Sequence, residues 1–268
     1  LHGREFMLIA ALMGLIQGLT EWLPVSSQGV IATTYLFAKN VSMDEAVLFS
    51  FWLHLGTVIS VIIVFRREIV VILGSVIRRP TRPTSITRFL VVSTVVSGVV
   101  SLPFLFITLG DVSKLGGALA MMLVGIMMVA NGVIQMRRGW AGVRDKDSVS
   151  LKDAFIVGVA QGIAVVPGIS RSGVTVAALL VRKIDRRDAL LLSFLMSIPV
   201  SLAAGIYAGL DGGLFWSKEA MIAVGVAAIV GLLAIRLLLT LAGRFDFSKF
   251  VVAAGTLVLV GAIWEVLR

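Results

Sequence analysis

Long apolar segments, separated by short charged loops, constrain the fold of this chain more than any other sequence feature. Six of them are 19–23 residues long, enough for a helix to cross about 30 Å of hydrocarbon at about 1.5 Å per residue. Only 15% of the 268 residues are charged, against about 25% in soluble domains. The sequence therefore predicts an all-α polytopic membrane protein and excludes a soluble enzyme, a secreted scaffold and a disordered chain. The six segments are residues 46–65, 89–109, 115–136, 188–210, 220–241 and 249–267.

The counts of individual residue types exclude several chemistries. The chain has no cysteine, so disulfides, thiolate catalysis and cysteine-bound zinc are ruled out. Its two histidines, His2 and His54, leave little room for a metal site built from histidine. A net charge of +9 would suggest nucleic acid binding in a soluble protein. Here the cationic residues lie in short loops between apolar segments, where they direct topology, so we predict a lipid bilayer and no nucleic acid as partner.

The loops between the apolar segments are of two kinds, basic and nearly neutral. Basic loops stay on the cytoplasmic side of the membrane, so most apolar segments connect a neutral outer loop to a basic inner one. This pattern predicts a multi-pass protein of the plasma membrane. The basic loops are residues 66–88, 137–152, 182–187 and 244–249, and the neutral loops are residues 39–45, 111–114 and 211–219.

Two segments break this alternation of loops. Residues 153–181 run from one basic loop to another, and they are too long for one span and too short for two. Each half would be about 14 residues, or about 21 Å of helix, which predicts a re-entrant hairpin with its tip inside the membrane. Pro167-Gly168 in the middle is a helix breaker. Residues 6–36, with Pro24 in the middle, predict a second hairpin that enters from the outer side, with the N-terminus outside.

Residues 1–268 are predicted to form one membrane domain with two related halves, repeat one over about 5–136 and repeat two over about 153–268. Three predicted spans separate the hairpins, and an odd number inverts the second copy. Inverted-topology repeats with broken helices are a transporter-like architecture; chance similarity between apolar sequences is the alternative. The pairs that match at an offset of 143 or 144 residues include Gln17 with Gln161, Pro24 with Pro167, and Ser27 with Ser170.

Each predicted hairpin contains a single charged residue. Glu21 is the only charge between Phe6 and Ala38, and Arg171 is the only one between Ala154 and Val181. A charge near the bilayer centre costs at least about 2.5–3.5 kcal/mol, so both residues are functional candidates. The alternative is an ion pair that merely ties the two repeats together.

Polar residues surround both charges. Gln17 and Glu21 are four residues apart and share one helix face. Residues 167–173, Pro-Gly-Ile-Ser-Arg-Ser-Gly, predict a turn followed by a helix N-terminus, where free N–H groups, hydroxyls and the Arg171 guanidinium would converge. Such a site suits an anion, and phosphate best. The polar residues are Gln17, Thr20, Ser26, Ser27 and Gln28 in the first hairpin and Gln161, Ser170, Ser172 and Thr175 in the second.

Both runs resemble motifs of a known family. Residues 17–27, Gln-Gly-Leu-Thr-Glu-Trp-Leu-Pro-Val-Ser-Ser, resemble the Glu/Gln-x-x-x-Glu and Pro-Val-Ser-Ser motif of the undecaprenyl-diphosphate phosphatase (bacitracin-resistance) family. Residues 167–175 match its second motif, Pro-Gly-x-Ser-Arg-Ser-x-x-Thr. The resemblance covers essentially the whole chain. It implies an integral membrane phosphatase that converts a C55 polyprenyl diphosphate to the monophosphate carrier lipid, needs a divalent cation and opens to the outer face.

The chain departs from the family pattern at two positions. Gln17 stands where many members have glutamate, and the pattern allows both. Many bacterial members carry a histidine shortly after Pro-Val-Ser-Ser, where this chain has Val30, so a mechanism that uses that histidine is excluded. His54 lies within a predicted span, and we interpret it as a polar packing residue. These departures indicate a divergent branch of the family.

The residues and the resemblance together predict a set of roles. Arg171 would clamp the diphosphate, and Glu21 with Gln17 would hold a divalent cation, Mg²⁺ or Ca²⁺, or orient the attacking group. Ser27 is the predicted nucleophile, with water activated by Glu21 as the alternative. The residues predicted to contact the diphosphate are Ser26, Gly168, Ser170, Arg171, Ser172 and Thr175.

A different class of function remains open at this stage. Inverted repeats with central broken helices also serve alternating access, so a transporter of polyprenyl phosphate or another anionic lipid is the alternative to a phosphatase. A purely structural membrane subunit would not account for two intramembrane charges at hairpin breaks. A homodimer is an open possibility for the assembly.

Overall fold

The computed structural model describes residues 2–23, 25–39, 41–78, 82–111, 143–165 and 169–241, with scattered positions between 122 and 133 and between 252 and 263. The described residues form helices and no β-strand, as the sequence predicts. In chain order the helices are α1 His2–Thr20, α2 Ser27–Lys39, α3 Met43–Val64, α4 Arg66–Arg78, α5 Ser85–Asp111, α6 Leu151–Ile163, α7 Arg171–Val181, α8 Arg186–Asp211 and α9 Lys218–Leu241. Short 3₁₀ turns cover Lys146–Ser148 and Leu214–Trp216.

Four of the described helices are long and apolar enough to cross a membrane. They correspond to four of the six spans predicted from the sequence. The other two predicted spans, residues 115–136 and 249–267, lie largely outside the described residues, so the total of six stays a prediction. The four segments are Asp44–Val64, Ser85–Pro103, Arg186–Asp211 and Lys218–Thr240.

Both segments predicted as hairpins are broken in the middle. The first divides into α1 and α2, and the second into α6 and α7. Helix α7 has 11 residues, so at about 1.5 Å per residue it is about 17 Å long and cannot cross the hydrocarbon alone. The predicted tips, Pro24 and Pro167-Gly168, lie outside the described residues.

A serine cap begins the second helix of each hairpin. Ser26 Oγ accepts from the backbone N–H of Gly29 at 3.2 Å at the start of α2, and Ser170 Oγ accepts from Gly173 at 3.1 Å at the start of α7. Each cap satisfies an N–H that the helix cannot pair internally. The two capping serines are 144 residues apart, whereas the sequence comparison aligned Ser27 with Ser170.

Glycines at matching positions allow the hairpins to approach neighbouring helices closely. A Cβ added to Gly14 of α1 would lie 2.3 Å from the carbonyl oxygen of Ala223 in α9, and one added to Gly158 of α6 would lie 2.8 Å from that of Ser93 in α5. Small residues of this kind let membrane helices pack backbone to backbone. Hairpin one therefore packs on α9, from the second half of the chain, and hairpin two packs on α5, from the first half.

A buried carboxylate fixes the start of α6. Asp153 is fully buried, and its Oδ2 accepts from Arg144 Nη2 at 2.8 Å while its Oδ1 accepts from Arg182 Nε at 2.6 Å. The Ser150 backbone N–H also donates to Oδ2 at 2.8 Å, completing a capping box. The carboxylate thus joins both ends of the hairpin formed by α6 and α7.

We expect Asp153→Asn to lower the free energy of unfolding by about 2–3 kcal/mol. This is less than the ~3–5 kcal/mol for breaking a fully buried pair, because the two arginine side chains are 29% exposed. Thermal unfolding of the purified protein in detergent measures the loss. Asp147→Asn, at an exposed site nearby, is the control; equal melting temperatures for both variants would contradict a stabilising role for the Asp153 ion pairs.

Candidate active site

The candidate site is centred on the carboxylate of Glu21, at the break between α1 and α2. The Glu21 backbone N–H donates to Gln17 O at 3.0 Å, so the residue continues the last turn of α1. Glu21 is 5% exposed. A buried carboxylate is stable only when it is paired and hydrogen-bonded, and both of its oxygens have partners.

Arg171, the first residue of α7, binds Glu21 directly. Its Nη2 donates to Glu21 Oε1, and its Nη1 donates to the carbonyl oxygen of Ser193 in α8 at 3.4 Å. The ion pair that the sequence left as an alternative is therefore present. It links the break of hairpin one to the helix start of hairpin two.

The second carboxylate oxygen of Glu21 accepts two hydrogen bonds from the first motif. Ser27 Oγ donates to Oε2 at 2.7 Å, and Gln17 Nε2 donates to the same oxygen at 3.1 Å. Ser27 is the first residue of α2, as Arg171 is of α7. The structure thus brings together the residues predicted to be catalytic, Glu21, Ser27 and Arg171, and Gln17, which was predicted to help bind a metal.

His54 of α3 also contacts this carboxylate, although the sequence predicted only a packing role for it. Its Nε2 lies 3.5 Å from Glu21 Oε2, and its Nδ1 lies 2.8 Å from the carbonyl oxygen of Ser50. Sequence spacing could not reveal this contact, because α3 is separate from both motifs. The available signal was a lone titratable residue within an apolar span, which is itself a functional indicator.

The predicted hydroxyls of the second motif have defined partners. Ser172 Oγ donates to Leu23 O at 2.8 Å and lies 3.2 Å from Ser170 Oγ. Thr175 Oγ1 lies 2.7 Å from Ser193 Oγ and is fully buried behind Arg171, away from the cavity described next. Gly168, the remaining predicted contact, lies outside the described residues.

A cavity of about 350 Å³ opens beside Glu21. Its lining includes Glu21, Ser27 and Arg171 together with many apolar side chains, so a charged centre lies inside a largely hydrophobic chamber. Such a chamber suits an anionic group on an apolar tail. The remaining polar lining comprises five residues of the hairpins that the sequence had indicated and five from other helices whose place in the site it had not: Ser26, Gln28, Gln161, Ser170 and Ser172, and His54, Ser97, Ser101, Ser201 and Tyr207.

Three buried glutamine atoms in this region have no hydrogen-bond partner among the described residues: Gln17 Oε1, Gln28 Nε2 and Gln161 Oε1. Gln161 Nε2 donates to Ser97 Oγ at 3.1 Å, which leaves its oxygen free. Buried polar groups are rarely left unpaired unless a ligand, ion or water completes them. Gln28 and Gln161 both line the cavity, so an unpaired donor and an unpaired acceptor belong to residues of its wall.

The protein groups around Glu21 can provide only part of a metal coordination shell. Within the described ranges, no three histidine, aspartate or glutamate side chains come close enough to hold a metal ion. Magnesium commonly takes one or two carboxylates and completes its shell with water and phosphate oxygens. The Glu21 carboxylate and the unpaired Gln17 Oε1 fit a cation of this kind when a diphosphate supplies the other ligands.

Fold and site together define a class: all-helical membrane proteins that hold an ion-paired, hydroxyl-rich centre in an otherwise apolar helical bundle. Comparison with known protein families shows which family of this class the chain belongs to. The chain belongs to the bacitracin resistance protein BacA family, whose model matches residues 10–260. It is a multi-pass membrane protein, as its four long apolar helices indicate.

Similar proteins are found in several archaea. A protein of Methanococcoides burtonii named undecaprenyl-diphosphatase is 39% identical over 92% of this chain and 95% of its own length. Proteins of the same name in Haloarcula marismortui and Methanopyrus kandleri are each 35% identical, over 96% and 93% of this chain and 97% and 94% of their own lengths.

Proposed function

We propose that this protein is an integral membrane phosphatase that hydrolyses a polyprenyl diphosphate of the undecaprenyl type to the monophosphate carrier lipid and phosphate. The observation that carries the proposal is the Glu21 carboxylate with Arg171 on one oxygen and Ser27 on the other, inside a cavity with a mainly apolar lining. The names of the archaeal relatives agree with it. The isoprenoid tail would lie along the apolar walls and the diphosphate at the charged centre.

In the proposed reaction, Ser27 Oγ attacks the terminal phosphorus and the bond to the bridging oxygen breaks. The Ser27 proton passes to Glu21 Oε2, which already accepts its hydrogen bond at 2.7 Å, and the electron pair of the broken bond leaves on the polyprenyl monophosphate. Glu21 passes this proton to the departing polyprenyl monophosphate and is again a carboxylate. Water then attacks the phosphoserine while Glu21 accepts a proton from it, and the bond between Ser27 Oγ and phosphorus breaks as Glu21 returns that proton to Oγ, which releases phosphate. Direct attack by water with Glu21 as base is the alternative route.

Arg171 stabilises the negative charge that develops on the phosphoryl oxygens. Its guanidinium can bind phosphate through two N–H groups at once, and its position at the start of α7 adds a favourable helix dipole. Ser26, Ser170 and Ser172 line the cavity and contribute hydroxyls to the diphosphate. Thr175 supports Arg171 by donating to its backbone oxygen at 2.8 Å, and Gly168 is proposed to allow close approach of the backbone.

A divalent cation, Mg²⁺ or Ca²⁺, is part of the proposal. Glu21 and Gln17 would hold it, and when bound it would neutralise phosphate charge. Glu21 and Arg171 carry opposite charges and nearly cancel, so the protein centre alone offers a diphosphate little net positive charge. Support comes from the unpaired amide oxygen of the fully buried Gln17.

The proposal includes an inverted repeat and a site that opens to the outer face. Gly14 and Gly18 of α1 recur 144 residues later as Gly158 and Gly162 of α6. Each pair packs tightly against a helix of the opposite half. Each hairpin thus packs against a helix from the other half of the chain, and each has a capping serine at the equivalent position. Both features support a two-fold symmetry axis that relates the two halves.

Cysteine labelling tests the topology against a background free of cysteine. We expect Asp44→Cys and Trp216→Cys to react with an impermeant thiol reagent added outside intact cells, because both residues lie in neutral loops. Asp147→Cys and Arg187→Cys lie in basic loops and should react only after permeabilisation. All four side chains are exposed, so differences in labelling report the side of the membrane. Equal labelling of all four would overturn the inverted-hairpin arrangement.

A phosphate-release assay tests the function itself. We expect the purified protein to release inorganic phosphate from farnesyl or polyprenyl diphosphate, to lose that activity in EDTA and to regain it with added Mg²⁺ or Ca²⁺. Absence of release from protein that still binds the lipid would contradict the proposal and favour a transporter of anionic lipid. Activity that EDTA leaves unchanged would remove the cation from the proposal.

A further inference from the structure

We propose that His54 is a ligand of the divalent cation at Glu21, so that the cation binds an imidazole nitrogen as well as oxygen atoms. The proposal builds on the cation of the proposed phosphatase and adds a residue that neither family motif contains. His54 is separated from Glu21 by 33 positions and lies on a different helix. Its ring nevertheless lines the cavity beside the carboxylate.

The hydrogen bond at one ring nitrogen leaves the other free to bind a metal. His54 Nδ1 lies 2.8 Å from the carbonyl oxygen of Ser50, and a carbonyl can only accept, so Nδ1 carries the hydrogen. In the neutral ring, Nε2 then presents a lone pair. Histidines that bind metals usually donate their other N–H to a backbone carbonyl or a carboxylate in this way.

The atom that faces the lone pair of His54 Nε2 is a carboxylate oxygen, which is also a hydrogen-bond acceptor. His54 Nε2 lies 3.5 Å from Glu21 Oε2, and two acceptors that face each other gain nothing unless a positive group lies between them. Nitrogen and oxygen ligands bind a divalent metal at about 2.1 Å, so two ligands of one ion are roughly 3.0–3.4 Å apart at octahedral or tetrahedral angles. The observed separation is close to that range.

A third acceptor, on a side chain that is hydrogen-bonded to the same carboxylate oxygen, also lacks a partner. Gln17 Nε2 donates to Glu21 Oε2, which leaves Gln17 Oε1 buried with no hydrogen bond among the described residues. A cation near Glu21 Oε2 would satisfy the imidazole nitrogen, and rotation of the Gln17 amide by half a turn would bring its oxygen to the place that Nε2 now occupies, 3.1 Å from Oε2. The cation would also add positive charge where Arg171 and Glu21 nearly cancel, as a bound diphosphate requires.

A nitrogen ligand alters the cations that the site selects. Carboxylate, carbonyl and water ligands suit Mg²⁺ and Ca²⁺, whereas imidazole favours transition metals. We therefore expect Mn²⁺ to bind more tightly than Ca²⁺, and His54→Gln to reduce that difference. Glutamine keeps a polar side chain of similar length but offers an oxygen in place of the aromatic nitrogen.

Electron paramagnetic resonance of Mn²⁺ tests the assignment on the full-length protein in detergent, with and without methylenediphosphonate. The chain has two histidines, so His2→Gln is a matched control. Wild-type protein and His2→Gln should show nitrogen hyperfine coupling that changes when histidine is labelled with ¹⁵N. His54→Gln should lose the coupling and bind Mn²⁺ at least about tenfold more weakly.

The opposite result is equally clear. If wild-type protein binds Mn²⁺ without nitrogen coupling, and His54→Gln leaves its affinity unchanged, then His54 does not bind the cation and the proposal is overturned. The wild-type spectrum gives this answer even if the variant does not fold. Metal binding is measured without turnover, so failure of this proposal is distinct from failure of the phosphatase proposal, which wild-type phosphate release decides.

Discussion

Replacement of Arg171 by lysine should lower phosphate release by about 100-fold or more while the protein still folds. Arg171 uses Nη2 to bind Glu21 and Nη1 to reach Ser193, and in the proposed mechanism the same fork binds the diphosphate. Lysine keeps the positive charge but has one nitrogen and no planar fork. Loss of one donor to a developing oxyanion commonly costs about 10²–10³ in rate, and lysine cannot hold the carboxylate and phosphate in the same geometry.

Two comparisons show whether the loss of phosphate release arises from a change in the active site. Arg187→Lys, an exposed arginine near the start of α8, should keep wild-type turnover and thermal stability. Arg171→Lys should keep a similar melting temperature, because the charge that pairs with Glu21 remains. Near-wild-type turnover by Arg171→Lys would assign the residue to the ion pair between the hairpins and exclude it from catalysis.

The sequence indicated that the two hairpins meet, with an ion pair between their single charges as one interpretation. Glu21 and Arg171 are the single charges of two apolar segments, and a charge in such a segment must find a partner or a polar cavity. The helix start at Arg171 was also predictable, since Ser170 is a favoured capping residue and the Pro167-Gly168 pair just before it is a helix-breaking sequence. These features depend on local chemistry and on the cost of burying charge.

The remaining residues of the site depend on helix packing, which the sequence of one helix does not specify. His54, Ser97 and Tyr207 lie on α3, α5 and α8, and each faces the cavity because of the rotation of its helix against its neighbours. Nearly all residues of a membrane helix are apolar, so periodicity does not distinguish the inner face from the lipid-facing one. The position of Thr175 in the motif suggested contact with substrate, whereas its hydroxyl lies 2.7 Å from Ser193 Oγ and is not part of the cavity lining.

Glu21→Gln should reduce turnover by about 10²–10⁴-fold, the usual contribution of a general base. Glutamine is nearly isosteric and still accepts from Ser27, but its amide cannot take up the proton. It also weakens the ion pair with Arg171, so thermal unfolding is measured in parallel. If the carboxylate is also a cation ligand, higher Mg²⁺ should recover part of the activity. A loss that no metal concentration changes would assign Glu21 to proton transfer alone.

The Ser27→Ala variant distinguishes nucleophilic attack by Ser27 from direct attack by water. We expect it to reduce phosphate release to the level of the protein-free control. The substitution removes the hydroxyl that donates to Glu21 Oε2 at 2.7 Å but leaves the cap of α2, which Ser26 supplies. Binding of the lipid diphosphate should therefore remain close to wild type. Thr34→Ala is the matched control, because this α2 hydroxyl bonds only to Val30 O, at 2.7 Å, among the contacts described.

A phosphoserine intermediate would establish the nucleophile directly. Rapid acid quenching of wild-type protein during turnover, followed by mass spectrometry, should find phosphate on Ser27 and none on Ser26. The neighbouring hydroxyl differs because Ser26 Oγ faces the backbone N–H of Gly29, whereas Ser27 Oγ faces a base that can accept its proton. Substantial turnover by Ser27→Ala would instead require direct attack by water, with Glu21 as the base and Ser27 as a contact to phosphate or metal.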